Sequence, residues 1–224
     1  MTDFAAARRR MVDSQLAARG IRNLAVLRAM TSVPRERFVP EPDRRRAYDD
    51  SALSIAESQT ISQPYVVALM LEALAPLSTH RVLEIGTGSG YATAVLAEVV
   101  AEVYTVERLG SLAAAARARL AEMAYRNVHV REGDGTLGWP EHAPYDGIVV
   151  TAGGPEVPAP LLPQLGVGAH LVVPIGPTPR AQELVRVTRR GPEEYARESL
   201  GPVAFVPLIG EAGWPPGAPD RPPA

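Results

Sequence analysis

The sequence predicts an α/β fold in which an N-terminal helical addition precedes a doubly wound, mostly parallel sheet of seven strands. Three observations predict this fold. The chain has 224 residues, 46% of them hydrophobic, which is enough to bury one large core. From residue 81 onward, short apolar runs alternate with helical patterns, as in a parallel sheet with helices on both faces. A glycine-rich run over residues 86–90 joins the first apolar run to a helix, and such junctions bind ligands in many α/β folds.

The first 64 residues predict a helical region that includes one long segment without a clear pattern. Apolar residues at helical spacing predict a helix over 5–19, which Gly20 ends as a C-cap. Asn23 is the predicted N-cap of a second helix over 23–31. Residues 41–64 show little periodicity. So long a stretch without structure indicates either a functional segment or an element that the pattern does not reveal.

From Pro64 the predicted elements follow in a regular order. Pro64 suits the first turn of a helix that packs on the coming sheet. The alternation predicts strands over 81–86, 102–106, 127–132, 146–151 and 169–175, and helices over 90–100, 110–124 and 158–166. Two closing strands, which include an antiparallel pair, are predicted over 184–188 and 203–208, with the polar residues 189–198 between them.

These elements divide the chain into three predicted parts. They are a helical region over 1–78, an α/β core over 79–209, and a Gly- and Pro-rich tail over 210–224. The tail holds a single large apolar residue, Trp214, so we expect it to be disordered. Trp214 itself either covers part of a ligand pocket or anchors the tail, and the sequence leaves both open.

The glycine run indicates which ligand the junction binds. Glu84 lies inside the strand, and Gly86, Gly88 and Gly90 alternate after it. A dinucleotide fold instead has the spacing G-x-G-x-x-G, and a phosphate loop has Gly-Lys followed by Ser or Thr. Glu107 ends the next strand roughly 20 residues on, where a carboxylate can accept both hydroxyls of a ribose. The predicted ligand is an adenosine derivative, and the alternative is that the glycines merely turn the chain.

Further stretches are predicted to meet at the C-terminal edge of the sheet, where open α/β folds bind ligands. Asp134 and Gly135 follow the third strand, Asp146 opens the fourth, and 151–155 leaves it through small residues that can line a pocket. Each stretch alone is weak evidence, since Asp-Gly is also an ordinary turn. Their order along the chain strengthens the prediction.

Composition excludes several classes of function. The net charge is −2, so the chain lacks the positive charge of a nucleic-acid-binding protein. The absence of cysteine excludes disulfides and thiolate chemistry, and the four histidines form no closely spaced pair, so no metal site is predicted. No apolar run reaches about 18 residues, so we expect no membrane contact and a cytoplasmic protein.

A short stretch before the sheet carries the most specific signal. It reads Gln59-Thr60-Ile61-Ser62-Gln63-Pro64, and its simplest interpretation is that Ser62 is the N-cap of the next helix. Other stretches accompany it in one order: 33–40, Glu84 to Gly90, 133–135, 143–146 and 205–208. Together they resemble the protein-L-isoaspartate (D-aspartate) O-methyltransferase family over about residues 10–209. Glycine motifs are shared by all methyltransferases, whereas Thr-Ile-Ser-Gln-Pro is specific to this family.

The resemblance implies a Rossmann-like class I methyltransferase. Such an enzyme moves a methyl group from S-adenosyl-L-methionine to the α-carboxylate of isoaspartyl residues in damaged proteins, its substrates, and the ester then closes to a succinimide. Ser62 is the implied catalytic residue. The implied cofactor-binding residues are Gln59, Thr60, Ile61 and Ser62 at the border of the cofactor, Glu84 in the glycine motif, Gly86, Gly88, Ser89 and Gly90 at the methionine part, Glu107 at the ribose, and Asp134 and Gly135 at the adenine. We further expect a monomer.

Three departures from the family pattern limit which residue roles the resemblance implies for this sequence. The loop before the motif has Ala56 and Ser58 among residues that are usually glycine. Val67 stands where animal members have histidine, and Ile209 and Gly213 stand near positions where those members have Thr and Gln contacts. We leave these positions out of the predicted site.

Two other functions also fit the sequence. One is a related methyltransferase that acts on a specific aspartate of a dedicated peptide or protein partner. Such relatives are expected to have an added recognition domain, whereas this chain has only a short proline-rich tail. The other is a non-catalytic module that binds S-adenosylmethionine. The intact Ser62, Gly86 to Gly90 and Glu107 oppose that interpretation.

Overall fold

The N-terminal region forms two helical segments that end and begin where the sequence predicts. The computed structural model describes residues 3–179 and 181–217. Gly20 ends the first segment with φ of 101°, and Asn23 begins the second by accepting the N–H groups of Ala25 and Val26. Both predicted caps are confirmed. The segments are α1, Phe4–Arg10, continued by a π-helical stretch, Met11–Leu16, and a 3₁₀ turn, Ala17–Arg19, and then α2, Leu24–Ser32.

The segment between α2 and the next helix contains an element that the sequence pattern does not reveal. After two 3₁₀ turns, Arg35–Arg37 and Glu41–Arg46, it forms a hairpin of β1, Leu53–Ser54, and β2, Thr60–Ile61. The hairpin turns at Glu57 and Ser58, whose φ angles are 58° and 56°. Glu57 also accepts a hydrogen bond of 2.8 Å from the hydroxyl of Ser111. Strands of two residues are too short to show periodicity, which explains why the pattern missed them.

A seven-stranded sheet follows, as predicted. The elements are α3 Pro64–Leu74, β3 Arg81–Ile85, α4 Tyr91–Ala97, β4 Glu102–Glu107, α5 Gly110–Glu122, β5 Val128–Glu132, β6 Tyr145–Val150, β7 Leu165–Thr178, β8 Ala181–Arg189 and β9 Tyr195–Val203. The order of the strands is β5-β4-β3-β6-β7-β8-β9, with β8 antiparallel to both of its neighbours and the other pairs parallel. Because β3 lies between β4 and β6, the loops after β3 and β6 diverge and leave a crevice at the C-terminal edge.

Two predicted elements near the C-terminus are wrong. The helix predicted over 158–166 is a 3₁₀ turn, Ala159–Gln164, because Pro160 and Pro163 have no amide hydrogen to donate within a helix. The last strand is not 203–208 but β9, and Pro207 makes only an isolated bridge with Gly153. β9 lies at the edge of the sheet and is half-buried or exposed throughout. Its polar sequence therefore lacks the apolar pattern that marks a buried strand.

Buried side chains cover the two faces of the sheet with the period of two that strands impose. The α-helices α2, α3 and α4 pack on one face, against Val82, Val103, Val149, Val172 and Leu184. The other face carries Leu83, Ile85, Ile148, Val150, Leu171, Val173 and Val185, packed with Leu161 and Trp139 from short connecting segments. The first face therefore joins the N-terminal region and the sheet in one core.

Residues 210–214 are tied to the core. The indole Nε1 of Trp214 donates to the carbonyl oxygen of Gly153 at 2.9 Å, and the amide of Ala212 donates to Thr136 Oγ1 at 3.0 Å. Trp214 therefore anchors this part of the chain. The expectation of a disordered tail is wrong for residues 210–214, and its last part, 218–224, lies outside the described residues.

No helix within residues 3–179 and 181–217 is long and apolar enough to cross a membrane. No group of three or more His, Asp or Glu side chains in the same ranges is placed to hold a metal ion.

Candidate active site

The glycine loop after β3 adopts a backbone that only glycine accommodates easily. Gly86, Gly88 and Gly90 have φ of 95°, 53° and 86°. The amide of Gly86 donates to the carbonyl oxygen of Val106 at 2.8 Å, which holds the loop against β4. A Cβ atom at Gly86 would lie 2.4 Å from Thr151 Oγ1. The alternating glycines therefore permit both the left-handed turn and the close approach of the loops after β3 and β6.

The Glu107 carboxylate lies beside this loop at the end of β4. Its Oε2 accepts the amide N–H of Gly88 and its Oε1 accepts that of Leu109, both at 2.9 Å. Two backbone amides therefore fix the orientation of the carboxylate. Because each oxygen has two lone pairs, each can accept one more hydrogen bond from a ligand hydroxyl.

A cavity with two lobes follows the glycine loop, and a groove opens beside it. The lobes meet at Thr60, Gly86, Gly88 and Thr151. The first lobe is lined by Thr60, Ile61, Ser62, Val67, Met70, Leu71, Gly86, Thr87, Gly88, Ser89, Tyr91, Ala92, Val149 and Thr151. The second lobe is lined by Gln59, Thr60, Ile85, Gly86, Gly88, Val106, Glu107, Arg108, Leu109, Gly135, Thr151, Ala152, Val206, Pro207, Leu208 and Ile209. The outer groove is lined by Ala52, Thr60, Ser62, Gln63, Val66, Pro202, Val203, Ala204 and Phe205.

Ser62 borders both the first lobe and the outer groove. Its carbonyl oxygen accepts a hydrogen bond of 2.7 Å from Arg35 Nη2, whereas its hydroxyl has no hydrogen bond among the described residues. The N-cap of α3 is Gln63, and no side chain caps this helix. The interpretation of Ser62 as an N-cap is therefore wrong, and its hydroxyl is available to a ligand.

Glu84 does not line the cavity, although the sequence predicts it as a cofactor residue. It is fully buried beneath the glycine loop, where its Oε2 accepts the hydroxyls of Thr93 and Thr105. Thr105 in turn accepts the hydroxyl of Thr87, a residue of the first lobe, at 2.6 Å. Burial raises the pKa of Glu84 to about 7, against the lowering effect of the two threonine hydroxyls. Glu84 therefore supports the loop from below.

Two further predicted residues also lie outside the cavity wall. Asp134 Oδ1 accepts the amide and hydroxyl of Thr136, and its Oδ2 accepts the amide of Glu211 at 2.7 Å. Its carboxylate thus holds the chain after β9, while Gly135 lines the second lobe. Gly90 provides the left-handed N-cap of α4 and faces Ala116 in α5. The other predicted residues, Gln59, Thr60, Ile61, Ser62, Gly86, Gly88, Ser89, Glu107 and Gly135, do border the two lobes.

Several cavity residues were not in the predicted site. Thr151 and Ala152 belong to the stretch 151–155 after β6, whose small residues predict a pocket lining. Thr87 could have been found because it stands between Gly86 and Gly88 in the glycine motif. Leu208 and Ile209 reach the second lobe from the far end of the chain. Leu208 ends the predicted strand 203–208 and Ile209 follows it, and nothing in the apolar pattern of this stretch indicates that location.

The sequence matches a known family over most of its length. The family model for protein-L-isoaspartate(D-aspartate) O-methyltransferase matches residues 6–213. Protein-L-isoaspartate O-methyltransferase 1 of Geotalea uraniireducens is 63% identical over 204 residues, which cover 91% of this chain and 93% of that protein. The enzyme of the same name from Rhodopseudomonas palustris strain HaA2 is 56% identical over 219 residues, covering 98% and 89% respectively.

Solved structures show the same architecture. A protein-L-isoaspartate O-methyltransferase matches with a TM-score of 0.81 and 30% identity, over 92% of this chain and 67% of that chain. A protein-L-isoaspartate O-methyltransferase structure from Plasmodium falciparum, in complex with S-adenosyl-L-homocysteine, matches with a TM-score of 0.77 and 23% identity, over 93% and 99%. The fold is therefore shared along nearly the whole chain.

Proposed function

The chain belongs to the protein-L-isoaspartate(D-aspartate) O-methyltransferase family, and we propose that its two-lobed cavity and Ser62 carry out the methyl transfer. The chain is an S-adenosylmethionine-dependent enzyme that methylates the α-carboxylate of L-isoaspartyl residues in damaged proteins. The methyl ester then closes to a succinimide, and hydrolysis of the succinimide returns some normal aspartate. The observation that carries the proposal is that Ser62 lies where the first lobe meets the outer groove.

The donors and the shape of the cavity fit S-adenosylmethionine, which supplies a methyl group activated by a sulfonium. The second lobe holds Glu107, whose fixed carboxylate suits ribose hydroxyls, and Gly135, where a Cβ atom would lie 2.4 Å from Ile85. The first lobe, with Ser89 and Ser62, suits the methionine part. A ligand that spans both lobes must pass Gly86 and Gly88, the residues without a side chain. This arrangement supports a nucleoside in the second lobe and a methyl donor facing Ser62.

The reaction needs orientation more than acid–base chemistry. A carboxylate with a pKa of about 4 is already ionised at neutral pH, so no residue has to remove a proton. We propose that the Ser62 hydroxyl donates to the substrate carboxylate and aims one oxygen at the methyl carbon. Alignment of this kind can supply roughly 7–11 kcal/mol of the barrier. As the O–C bond forms and the S–C bond breaks, the negative charge of the carboxylate and the positive charge of the sulfonium cancel. An environment with little water favours this loss of charge, and the apolar side chains of Ile61, Met70 and Leu71 exclude water from the first lobe.

Several other assignments from the sequence are kept as proposals. Gln59 and Thr60 are proposed to border the cofactor and Gly135 to lie by the adenine, whereas the Asp134 carboxylate, which the sequence also assigned to the adenine, holds the turn after β9 instead. We also propose that the protein is a monomer. A further proposal is that it does not bind nucleic acid, and the net charge of −2 supports this second proposal. A cytoplasmic location is proposed because a chain without cysteine is compatible with a reducing compartment. The division into 1–78, 79–209 and a short tail is proposed as well.

A pair of peptides tests the proposed function directly. We expect the purified protein to transfer a labelled methyl group from S-adenosylmethionine to a peptide that contains one L-isoaspartyl residue. We expect no transfer to its twin with normal aspartate. In the normal residue the α-carboxyl carbon forms the main-chain amide, so no free α-carboxylate is present to accept the methyl group. Equal methylation of both peptides would contradict the proposed substrate, and transfer to neither would favour a dedicated partner or a non-catalytic module that binds S-adenosylmethionine.

Glu107→Ala is expected to weaken the binding of S-adenosylhomocysteine by roughly 10- to 150-fold, because it removes charge-assisted hydrogen bonds worth about 1.5–3 kcal/mol. Calorimetry measures this change. The matched control is Glu132→Ala, because Glu132 occupies the paired register position on β5 and is exposed. Unchanged affinity in a folded Glu107 variant would remove this residue from the ribose site.

A further inference from the structure

Arg35 is a cation buried where the N-terminal region contacts the core. It begins the 3₁₀ turn Arg35–Arg37 and has no exposed surface. Its Nε donates to the carbonyl oxygen of Ala47 and its Nη2 to that of Ser62, both at 2.7 Å. Its guanidinium carbon lies 4.7 Å from the centre of the Tyr91 ring. Among residues 3–179 and 181–217, no carboxylate forms an ion pair with it.

Burial of this charge costs free energy, which is unfavourable if the side chain only fills space in the core. Burial lowers the pKa of the Arg35 guanidinium, which reflects the cost of removing its charge from water. Replacing buried charges by apolar residues of similar volume is often neutral or stabilising in other proteins. The two carbonyl oxygens and the aromatic ring offset part of the cost. The segments that these partners belong to therefore indicate what the cation holds in place.

We propose that Arg35 is a positioning residue that fixes Ser62 for methyl transfer, on the premise that Ser62 orients the substrate. One planar guanidinium joins three segments of the site. They are the loop of Ser62, the chain at Ala47 that leads to the β1–β2 hairpin, and Tyr91, which follows the glycine loop and lines the first lobe. Because the Ser62 hydroxyl makes no hydrogen bond of its own among the described residues, its direction depends on the anchored main chain.

A second contact holds the same loop from outside. Gln63 Nε2 donates to the main-chain oxygen of Asp50 at 3.1 Å and to its Oδ1 at 2.8 Å, in an exposed position. This contact does not involve Arg35. The loop therefore keeps one anchor when Arg35 is changed, so we expect a displaced Ser62 rather than a detached loop.

Arg35→Lys separates charge from geometry. Lysine keeps the positive charge but lacks the planar fork that bridges two carbonyl oxygens. We expect kcat for an isoaspartyl peptide to fall by about tenfold or more, since a displacement near 1 Å can cost about 100-fold. The Kd for S-adenosylhomocysteine should change by less than about twofold, because Glu107 and the glycine loop are held by hydrogen bonds that do not involve Arg35. The matched control is Arg37→Lys, in the same turn but exposed and paired with Glu122, which should retain wild-type kcat.

Two further variants keep the proposal open to refutation. If Arg35→Lys does not fold, Arg35→Met is the substitute, because it removes the buried charge and retains volume; its kcat is expected to fall similarly. In a Ser62→Ala background, Arg35→Lys should cause no further loss, since both changes act on one group. Wild-type kcat in a folded Arg35 variant, or full additivity with Ser62→Ala, would overturn the proposal. If Ser62→Ala alone left kcat intact, the proposed function of Ser62 would fail instead.

Discussion

Ser62→Ala is expected to lower kcat/KM for an isoaspartyl peptide by about 10- to 150-fold, the loss of one hydrogen bond to a charged group worth roughly 1.5–3 kcal/mol. The hydroxyl borders both the first lobe and the outer groove, and no protein group among the described residues competes for it. Stability should change little, because Gln63 and not Ser62 is the N-cap of α3. Methyl transfer and the melting temperature are measured on the same protein.

A remote serine provides the control for this comparison. Ser78 is exposed in the connection before β3, at the opposite edge of the sheet from the glycine loop. Ser78→Ala should retain both kcat/KM and Tm. A Ser62 variant with wild-type turnover would end the catalytic assignment. A variant that loses about 1 kcal/mol of stability but no activity would instead show a structural role of the kind that a helix cap has.

Glu84→Gln is expected to remove a pH dependence of stability worth about 3 kcal/mol, the product of the pKa shift and about 1.4 kcal/mol per unit. The ordinary pKa of glutamate is 4.5, and burial raises that of Glu84 to about 7. Between these values the folded protein binds more protons than the unfolded chain. Its free energy of unfolding therefore falls as the pH rises. The contribution is fully present below pH 4.5 and lost by about pH 7.

Chemical unfolding across this pH range measures the effect. Glutamine resembles the protonated side chain and cannot ionise, so the variant should gain stability relative to the wild type as the pH rises from 4.5 to 7. Glu156→Gln is the control, because Glu156 is exposed in the loop before β7 and its replacement should leave the slope unchanged. Parallel curves for Glu84→Gln and the wild type would show that the pKa of Glu84 is not raised in the folded protein.

The regular part of the fold was predictable because its signals are local. The strand, glycine loop and helix over 81–97 occupy adjacent residues, and each requires a particular residue type in place. The same holds for Asn23, whose side chain caps the helix that begins one residue later. Glu107 could be located because the spacing of consecutive parallel strands places it beside the loop. The Thr-Ile-Ser-Gln-Pro stretch was informative for a different reason, since it resembled one family and nothing in its periodicity indicated a function.

What the sequence alone determined is therefore the α/β class, the order of most elements, the glycine loop and the family. Only the tertiary structure decided which polar residues face the ligand and which are buried supports. Glu84 lies beneath the loop, and Asp134 holds the chain after β9, because their partners, Thr105 and the amide of Glu211, come from distant segments. Arg35 reaches the carbonyl of Ser62 for the same reason. Long-range packing sets these contacts, and no local pattern of residue types encodes them.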